Sequence, residues 1–232
     1  MKVIVTGASK GIGRGISTVL GRHGHAVGVL ARSEHLLAEL QSEIRGSGGI
    51  CHIAACDLRD PEVTLAAVDR LVDALGGIDA LVNNAGLVTR KSALEISLEE
   101  WRDLIDTNVH GLFHATRAVL PRLTEQGHGH IINVSSISGR LPLPGGSAYA
   151  ASKYAGTGFS ESLFHEVREF GVKVSTIFPG SVDSASHRHD PSEDTNWKVQ
   201  PEEVGDACRA LLETSPGNCI SRLEIRPLKK PN

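Results

Sequence analysis

Short runs of apolar residues recur along the chain, separated by longer segments in which apolar residues return every three or four positions. The short runs are typical of buried strands, and the longer segments are typical of helices that pack on one face. The pattern predicts strands at residues 2–6, 26–31, 50–56, 80–83, 130–134, 173–178 and 223–225. It predicts helices at residues 11–22, 34–45, 63–75, 98–123, 148–170 and 202–213.

Strand and helix alternate throughout, and the sequence contains no internal repeat, low-complexity tract or linker. Such alternation indicates right-handed βαβ crossovers and a parallel sheet with helices on both faces. We expect a doubly wound α/β fold of the Rossmann type, with about seven strands and one domain covering residues 1–232. Ligands of such folds bind beyond the carboxyl ends of the strands.

One irregular polar stretch, residues 184–200, follows the sixth predicted strand. It is either a lid over the substrate or a surface loop, and its place after a strand of this topology favours the lid.

Composition restricts the class of protein. The chain has 232 residues, 40% of them hydrophobic, and a formal net charge of -3. These values are typical of a soluble globular protein and give no reason to propose a nucleic acid as partner. Structure is predicted to begin almost at Met1, and no stretch approaches the roughly 20 apolar residues of a membrane span. We therefore expect a cytoplasmic protein that does not bind membranes.

The four cysteines, Cys51, Cys56, Cys208 and Cys219, lack the CxxC spacing of redox and zinc sites. Buried reduced thiols are favoured over a disulfide or a metal site. The eleven histidines show no arrangement of ligands either, so no metal is expected.

A glycine-rich loop joins the first predicted strand to the first predicted helix. Free backbone N–H groups and the positive end of the helix dipole favour an anion there, usually a pyrophosphate. Gly7 allows the tight turn, Gly11 allows the backbone to approach the ligand, and Gly13 allows helix and strand to pack closely. A simple turn is the alternative, and the strand–loop–helix context favours the nucleotide site.

The second predicted strand ends at Arg32, where many dinucleotide folds have an acidic residue that binds the adenosine ribose. A guanidinium at this position, together with Lys10, is suited to a 2′-phosphate, although both side chains could be ordinary solvated cations. The sequence therefore favours NADP(H) over NAD(H).

Tyr149 and Lys153 are four residues apart in a predicted helix, so they share a face. A phenol with a pKa of about 10 exchanges protons poorly near neutrality, and a neighbouring ammonium lowers that pKa. The pair alone is weak evidence because helix surfaces carry many such pairs. The hydroxyls of Ser135, Ser136 and Ser138 follow a predicted strand and could reach the reacting oxygen, but periodicity does not distinguish among them.

These motifs together resemble the short-chain dehydrogenase/reductase family over essentially the whole chain. Thr6, Gly7, Gly11 and Gly13 match its TGxxxGxG loop, residues 83–86 match its NNAG motif, and Tyr149 with Lys153 matches its YxxxK motif. The resemblance implies Ser136 as the catalytic serine, with Ser135 and Ser138 as supporting hydroxyls.

The resemblance also implies a role for each catalytic residue. Ser136 polarises the substrate carbonyl, and Tyr149 transfers the proton. Lys153 lowers the pKa of the phenol and holds the nicotinamide ribose, and Asn108 orients a water that links Lys153 to solvent. The residues expected to bind the cofactor are Gly7, Ser9, Lys10, Gly11, Ile12, Gly13, Arg32, Ser33, Asp57, Leu58, Asn84, Ala85, Gly86, Tyr149, Lys153, Pro179, Gly180, Val182 and Ser184.

Two features bear on the activity within the family. Ser184 stands where a threonine usually contacts the carboxamide, which keeps the hydroxyl. Residues 220–227 resemble carbonyl reductases and hydroxy-acid dehydrogenases more than ketoacyl reductases. The resemblance thus implies an NADP(H)-dependent carbonyl reductase; a 3-oxoacyl-thioester reductase or hydroxy-acid dehydrogenase is the alternative, and a sensor that binds NADP(H) without turnover is an alternative of another class.

Substrate identity is left open. The segment containing Leu141, Leu143, Gly145 and Gly146 precedes Tyr149 and could form a roomy apolar wall, whereas His187, Arg188 and His189 could recognise an anion. Leucines in the core and charges facing water are the alternative. A short lid favours small or medium carbonyl compounds, and NADP favours reduction. The two long helices match those through which relatives form homodimers or homotetramers.

Overall fold

A single sheet of seven parallel strands organises the part of the chain that the computed structural model describes, residues 1–184 and 195–229. Its strands lie in the order β3-β2-β1-β4-β5-β6-β7. They are β1 (Lys2–Thr6), β2 (Ala26–Ala31), β3 (Ile50–Ala55), β4 (Ala80–Asn83), β5 (Gly129–Val134), β6 (Val172–Pro179) and β7 (Arg222–Ile225). The helices are α1 (Gly11–Arg22), α2 (Glu34–Gly46), α3 (Pro61–Leu75), α4 (Leu98–Ile105), α5 (Gly111–Glu125), α6 (Ser147–Val167) and α7 (Pro201–Leu212).

The inner strands are apolar along their whole length because helices cover both faces of the sheet. In β1, Val3 and Val5 point into the layer formed by α1, α2 and α7. Ile4, between them, points into the layer formed by α3, α5 and α6. All three side chains are fully buried. The expected doubly wound α/β architecture is confirmed.

The ends of most predicted elements lie within two residues of the observed ends. The exception is the helix predicted at 98–123, which consists of α4, a π-helical turn at Asp106–His110 and α5, and reaches Glu125. The helix predicted at 148–170 ends at Val167, and a 3₁₀ turn, Arg168–Phe170, continues it. A π turn holds one extra residue within a helix and is common at functional sites.

Local sequence explains several helix starts. Asp60 accepts hydrogen bonds from the backbone of Glu62 and Val63, with Pro61 at the first position of α3. Ser97 and Glu100 form a reciprocal capping box at the start of α4. Such caps satisfy N–H groups that the first helical turn leaves unpaired. They set the direction in which α4 leads into the π turn.

The thiols and the helices bear on two expectations. All four cysteines are free; Cys51, Cys56 and Cys208 are buried, and Cys219 is partly exposed. Three of the four thiols are thus buried as expected, and their reduced state stays a prediction. Among residues 1–184 and 195–229, no helix has both the length and the apolar character needed to cross a membrane.

Candidate active site

The loop after β1 and the loop after β4 are held together at the carboxyl edge of the sheet. The hydroxyl of Thr6 accepts hydrogen bonds from the backbone N–H groups of Asn84, at 3.0 Å, and Ala85, at 3.1 Å. The Asn84 amide donates to the carbonyls of Thr6, at 3.0 Å, and Gly7, at 3.2 Å. The TG and NNAG segments therefore form one rigid unit.

Glycine is required at two positions of this unit. Gly7 has a φ of +65°, in the left-handed region, and a Cβ there would lie 2.6 Å from the Cα of Ala85. A Cβ at Gly13 would overlap the Asn84 amide and the carbonyl of Gly7. Larger residues would therefore push the two loops apart.

The start of α1 is open to an anion. Lys10 is the N-cap residue, and its side chain makes no capping hydrogen bond. The first N–H groups of a helix lack intrahelical partners and carry the positive end of the helix dipole. Ser9, Lys10, Gly11 and Ile12 line a groove of about 600 Å³ that begins here. This arrangement is suited to a phosphate group.

The groove runs along the carboxyl edge from α1 to α6. Of the residues expected to bind a cofactor, the following line it: Gly7, Ser9, Lys10, Gly11, Ile12, Arg32, Ser33, Asp57, Leu58, Asn84, Ala85, Gly86, Tyr149, Lys153 and Ser184. Gly13 lies behind the loop and supports it, as described above. The structure thus brings these side chains together along one surface.

Arg32 and Ser33 follow β2 at one end of the groove. Arg32 lies near Asp57, since its charge contributes to holding the pKa of that carboxyl below its ordinary value. The main cause of that lowered pKa is the Arg59 guanidinium, which contacts both carboxylate oxygens of Asp57 at 2.7–3.1 Å. The carboxylate of Asp57 is therefore already paired, and its expected contact with an adenine stays a prediction.

At the opposite end of the groove, Tyr149 lies in the first turn of α6 and is 8% exposed. Burial raises the pKa of its phenol, whereas a hydrogen bond with Ser136 and the charge of Arg90 act to lower that pKa. Ser136 also accepts a hydrogen bond from the N–H of Ser138 at 3.1 Å, which orients its side chain. The three neighbouring serines thus differ: Ser136 meets the phenol, Ser138 is buried, and Ser135 turns towards Thr157 and the carbonyl of Lys153.

Lys153 lies one helical turn after Tyr149, with its ammonium 5.9 Å from the centre of the phenol ring. The ammonium donates to the carbonyl of Val134 at 3.1 Å. Burial lowers its pKa to about 8. Burial thus acts against the charged forms of both Lys153 and Tyr149. The expectation that Lys153 lowers the pKa of the phenol stays a prediction.

Asn108 is buried in the π turn, beside the groove. Its amide accepts from the N–H of Leu87 at 2.7 Å and donates to the carbonyl of Leu87 and to Ser152, each at 2.9 Å. One lone pair of its side-chain oxygen is left to accept a hydrogen bond. A Cβ at Gly86 would lie 3.2 Å from that oxygen and 3.5 Å from the Lys153 ammonium, so Asn108 and Lys153 face the same point. The expected water at this point stays a prediction.

Comparison with known proteins shows to which family this chain belongs. The family model described as short chain dehydrogenase matches residues 1–195. The chain is 33% identical to an uncharacterized oxidoreductase of Staphylococcus saprophyticus, an alignment that covers 97% of this chain and 96% of that protein. This chain belongs to the short-chain dehydrogenase family.

Two further relatives carry more specific names. A protein of Escherichia coli O6:H1 named as an NADP-dependent 3-hydroxy acid dehydrogenase is 35% identical, over 98% of this chain and 95% of that protein. The structure of an alcohol dehydrogenase from the archaeon Thermococcus sibiricus, complexed with 5-hydroxy-NADP, has a TM-score of 0.92 and 26% identity. It covers 100% of this chain and 98% of that one.

The segment after β6 is described in part. Pro179 ends β6, and the N–H of Gly180 donates to the carbonyl of Ile225 at 2.8 Å. Val182 pairs with Val199 in an isolated bridge, so the two ends of the expected lid meet. His187, Arg188 and His189 lie outside the described residues. The roles of Pro179, Gly180 and Val182 at the nicotinamide, and the lid itself, stay predictions.

The sequence did not lead us to predict some of the residues that line the groove of this short-chain dehydrogenase. They are Leu30, Ala31, Leu36, Cys56, Leu87, Val88, Thr107 and Val134. Arg90 beside Tyr149 was also missed. Position in the loop that follows a strand was a usable signal for Leu87 and Val88. Nothing local marked Arg90, because its place beside Tyr149 depends on how the loop after β4 packs on α6.

Proposed function

We propose that this protein is an NADP(H)-dependent oxidoreductase that interconverts a carbonyl compound and an alcohol, with Tyr149 as general acid and base. One observation carries the proposal. The neighbouring side chains of Ser136 and Tyr149, with Lys153 beside them, lie at one end of a groove whose other end is an open helix N-terminus flanked by Arg32. The spacing of a reactive phenol and an anion site along one groove is what a phosphorylated hydride carrier requires.

The residues of the groove fit NADP(H). The backbone at Gly11 and Ile12 is suited to the pyrophosphate, and the positive charges of Lys10 and Arg32 are suited to a 2′-phosphate. The names of two relatives support this choice, since one is NADP-dependent and the other was solved with an NADP derivative. When bound, NADP(H) supplies the hydride for a carbonyl carbon or accepts it from an alcohol carbon.

Residues of the chain itself transfer the proton and stabilise the charges that form. Ser136 donates a hydrogen bond to the substrate oxygen, where negative charge develops during reduction. Tyr149 donates its phenolic proton to the same oxygen in reduction and accepts a proton from the hydroxyl in oxidation. The ammonium of Lys153 stabilises the phenolate that reduction leaves behind. Burial of the phenol keeps bulk water away from these transfers.

The loss of NADPH absorbance with purified protein tests the proposal over a panel of ketones, aldehydes, diketones and β-keto esters. Turnover that prefers NADPH to NADH supports a reductase. Tight binding of NADPH without turnover of any compound contradicts a reductase of neutral carbonyl compounds and leaves an acid substrate outside the panel or a sensor of NADP(H). The panel also indicates the physiological class, since carbonyl reductases accept neutral ketones.

Charge reversal at Arg32 tests the choice of cofactor. Arg32→Asp is expected to weaken NADPH binding by about a hundredfold, because it removes a charged hydrogen bond and repels the 2′-phosphate. NADH has no such phosphate, so its binding should change by less than about threefold. Titration of protein fluorescence with each cofactor measures both values. Arg70→Asp, an equal charge change on the outer side of α3, is the control. Equal weakening of both cofactors by Arg32→Asp would refute the phosphate assignment.

We also propose that the protein is a cytoplasmic homo-oligomer. Trp101, Phe113 and Tyr154, on α4, α5 and α6, are 41–44% exposed; α4 contacts α6, and Phe113 packs edge-on against Phe159 of α6. Large exposed apolar side chains on adjacent helices support association through this face. Sedimentation velocity is expected to give the mass of a dimer or tetramer. A monomer at micromolar concentration would contradict the proposal.

A further inference from the structure

Arg90 lies in the loop between β4 and α4, outside the residues already assigned to the reaction. It lines a second cavity of about 730 Å³, together with Leu87 and Val88. Leu87 and Val88 also line the main groove, so the two spaces adjoin. The same two residues pack against Tyr149 in a small apolar cluster. Arg90 is therefore placed at the substrate end of the groove.

Contacts with a glycine pair bring Arg90 close to the start of α6. Its Cδ lies 3.7 Å from the position of a Cβ at Gly146, and its backbone oxygen lies 3.6 Å from that at Gly145. Gly146 is the N-cap residue of α6, three residues before Tyr149. The proximity is also electrostatic, because the charge of Arg90 acts to lower the pKa of the phenol.

The guanidinium of Arg90 makes no ion pair within residues 1–184 and 195–229. No carboxylate or carbonyl of these residues accepts a hydrogen bond from it, whereas Lys91 beside it pairs with Glu100. Arg90 as a whole is exposed, and partial burial lowers the pKa of its guanidinium. An exposed guanidinium without a carboxylate partner is accessible to an anion that enters the cavity.

Three carboxylates also line the second cavity, and each has its own partner. Glu100 pairs with Lys91, and Asp103 accepts from Arg59 at 2.8 Å. Glu95 accepts from the N–H and the hydroxyl of Ser92, at 2.9 and 2.8 Å. None of these carboxylates contributes to the pKa of Tyr149, whereas Arg90 does. Of these charged side chains, Arg90 is therefore the one that acts on the phenol.

We propose that Arg90 binds a carboxylate of the substrate and makes the enzyme selective for oxo acids and hydroxy acids over their neutral analogues. The planar guanidinium presents two parallel N–H donors that match a carboxylate. Its position beside Tyr149 sets the carboxylate close to the carbonyl that is reduced. This inference rests on the proposed function, because it assigns the substrate of the same groove.

The test compares acetoacetate with methyl acetoacetate, which differ in the charge of one group. In the wild type, kcat/KM should be higher for the acid. Arg90→Gln should lower the ratio of acid to ester by about ten- to a hundredfold. Any effect of Arg90 on the phenol acts on both substrates and cancels in the ratio. Lys91→Gln removes an equal charge from the adjacent residue and should change the ratio by less than about twofold.

An unchanged ratio in Arg90→Gln would overturn the inference, as would an equal fall in Lys91→Gln. Calorimetric titration of the NADPH complex with butyrate and butyramide separates this inference from the proposed function, because it needs no turnover. Wild type should bind butyrate at least about tenfold more tightly than butyramide, and Arg90→Gln should remove the difference. Equal binding of both by the wild type would overturn the role of Arg90. Selective butyrate binding without reduction of either keto compound would instead contradict the proposed function and support the Arg90 site.

Discussion

Replacing Tyr149 with phenylalanine is expected to lower kcat by about 10²–10⁴-fold, since it removes the group that we propose transfers the proton. The ring remains, so its packing with Leu104 and Ala148 is kept. NADPH binding should change little, because the substitution removes one hydroxyl from a groove with many other contacts. Steady-state oxidation of NADPH with any ketone that the wild type reduces measures the loss.

Tyr154 provides a matched control. It is the other tyrosine of the chain, it lies on the same helix, and it is 44% exposed. Tyr154→Phe should retain activity within about twofold, as surface substitutions usually do. Full activity in Tyr149→Phe would rule out the phenol as the proton donor. Activity lost equally in both variants would indicate a general effect on folding.

Replacing Lys153 with methionine is expected to abolish most turnover and at the same time to stabilise the fold. Turnover should fall because the phenolate loses the cation that stabilises it. The free energy of unfolding should rise by about 2–3 kcal/mol at pH 7, because methionine fills a similar volume and carries no charge to desolvate. This figure already allows for the loss of the hydrogen bond to Val134. Urea unfolding measures the second effect.

The stability difference should depend on pH, and its sign follows from the pKa of Lys153. Burial lowers this pKa from 10.5 to about 8. Below pH 8 the folded protein carries an unfavourable charge. Between pH 8 and about 10.5 the unfolded chain binds more protons than the folded one, so the wild type gains stability as pH rises. The advantage of Lys153→Met should therefore shrink across this window. Lys91→Met, at an exposed lysine, should show no such trend, and a constant advantage for Lys153→Met would mean that Lys153 is well solvated.

The fold could be predicted from the sequence because the strands are short, fully apolar and regularly separated. Val3, Ile4 and Val5 show why: a strand covered on both faces needs no alternation. The helix ends near Asp60 and Ser97 also follow from local chemistry. The π turn could not be predicted, since one extra residue in a helix leaves the apolar spacing almost unchanged.

The candidate site, like the fold, could be predicted from the sequence only in part. The chemistry of the glycine loop and of the Tyr149–Lys153 pair could be inferred from the residues themselves, whereas the choice of Ser136 among three serines came from the family resemblance. In the structure Ser136 is the serine that acts on the pKa of the phenol. The pKa of Tyr149 and of Lys153 depends on burial, which tertiary packing sets and local sequence does not show. Arg90 reaches the site from a distant loop for the same reason.

The π turn at Asp106–His110 has a consequence for insertions and deletions. Deleting a residue other than Asn108 there would restore a regular helix and keep every catalytic candidate of the site. The wide turn absorbs its extra residue, so α4 and α5 would keep nearly the same relation, but Asn108 would turn around the helix axis by up to about 100°. Asn108 would then no longer meet both Leu87 and Ser152, which it now joins through hydrogen bonds. The number of residues between Leu98 and Glu125 therefore matters to the site as much as their identities.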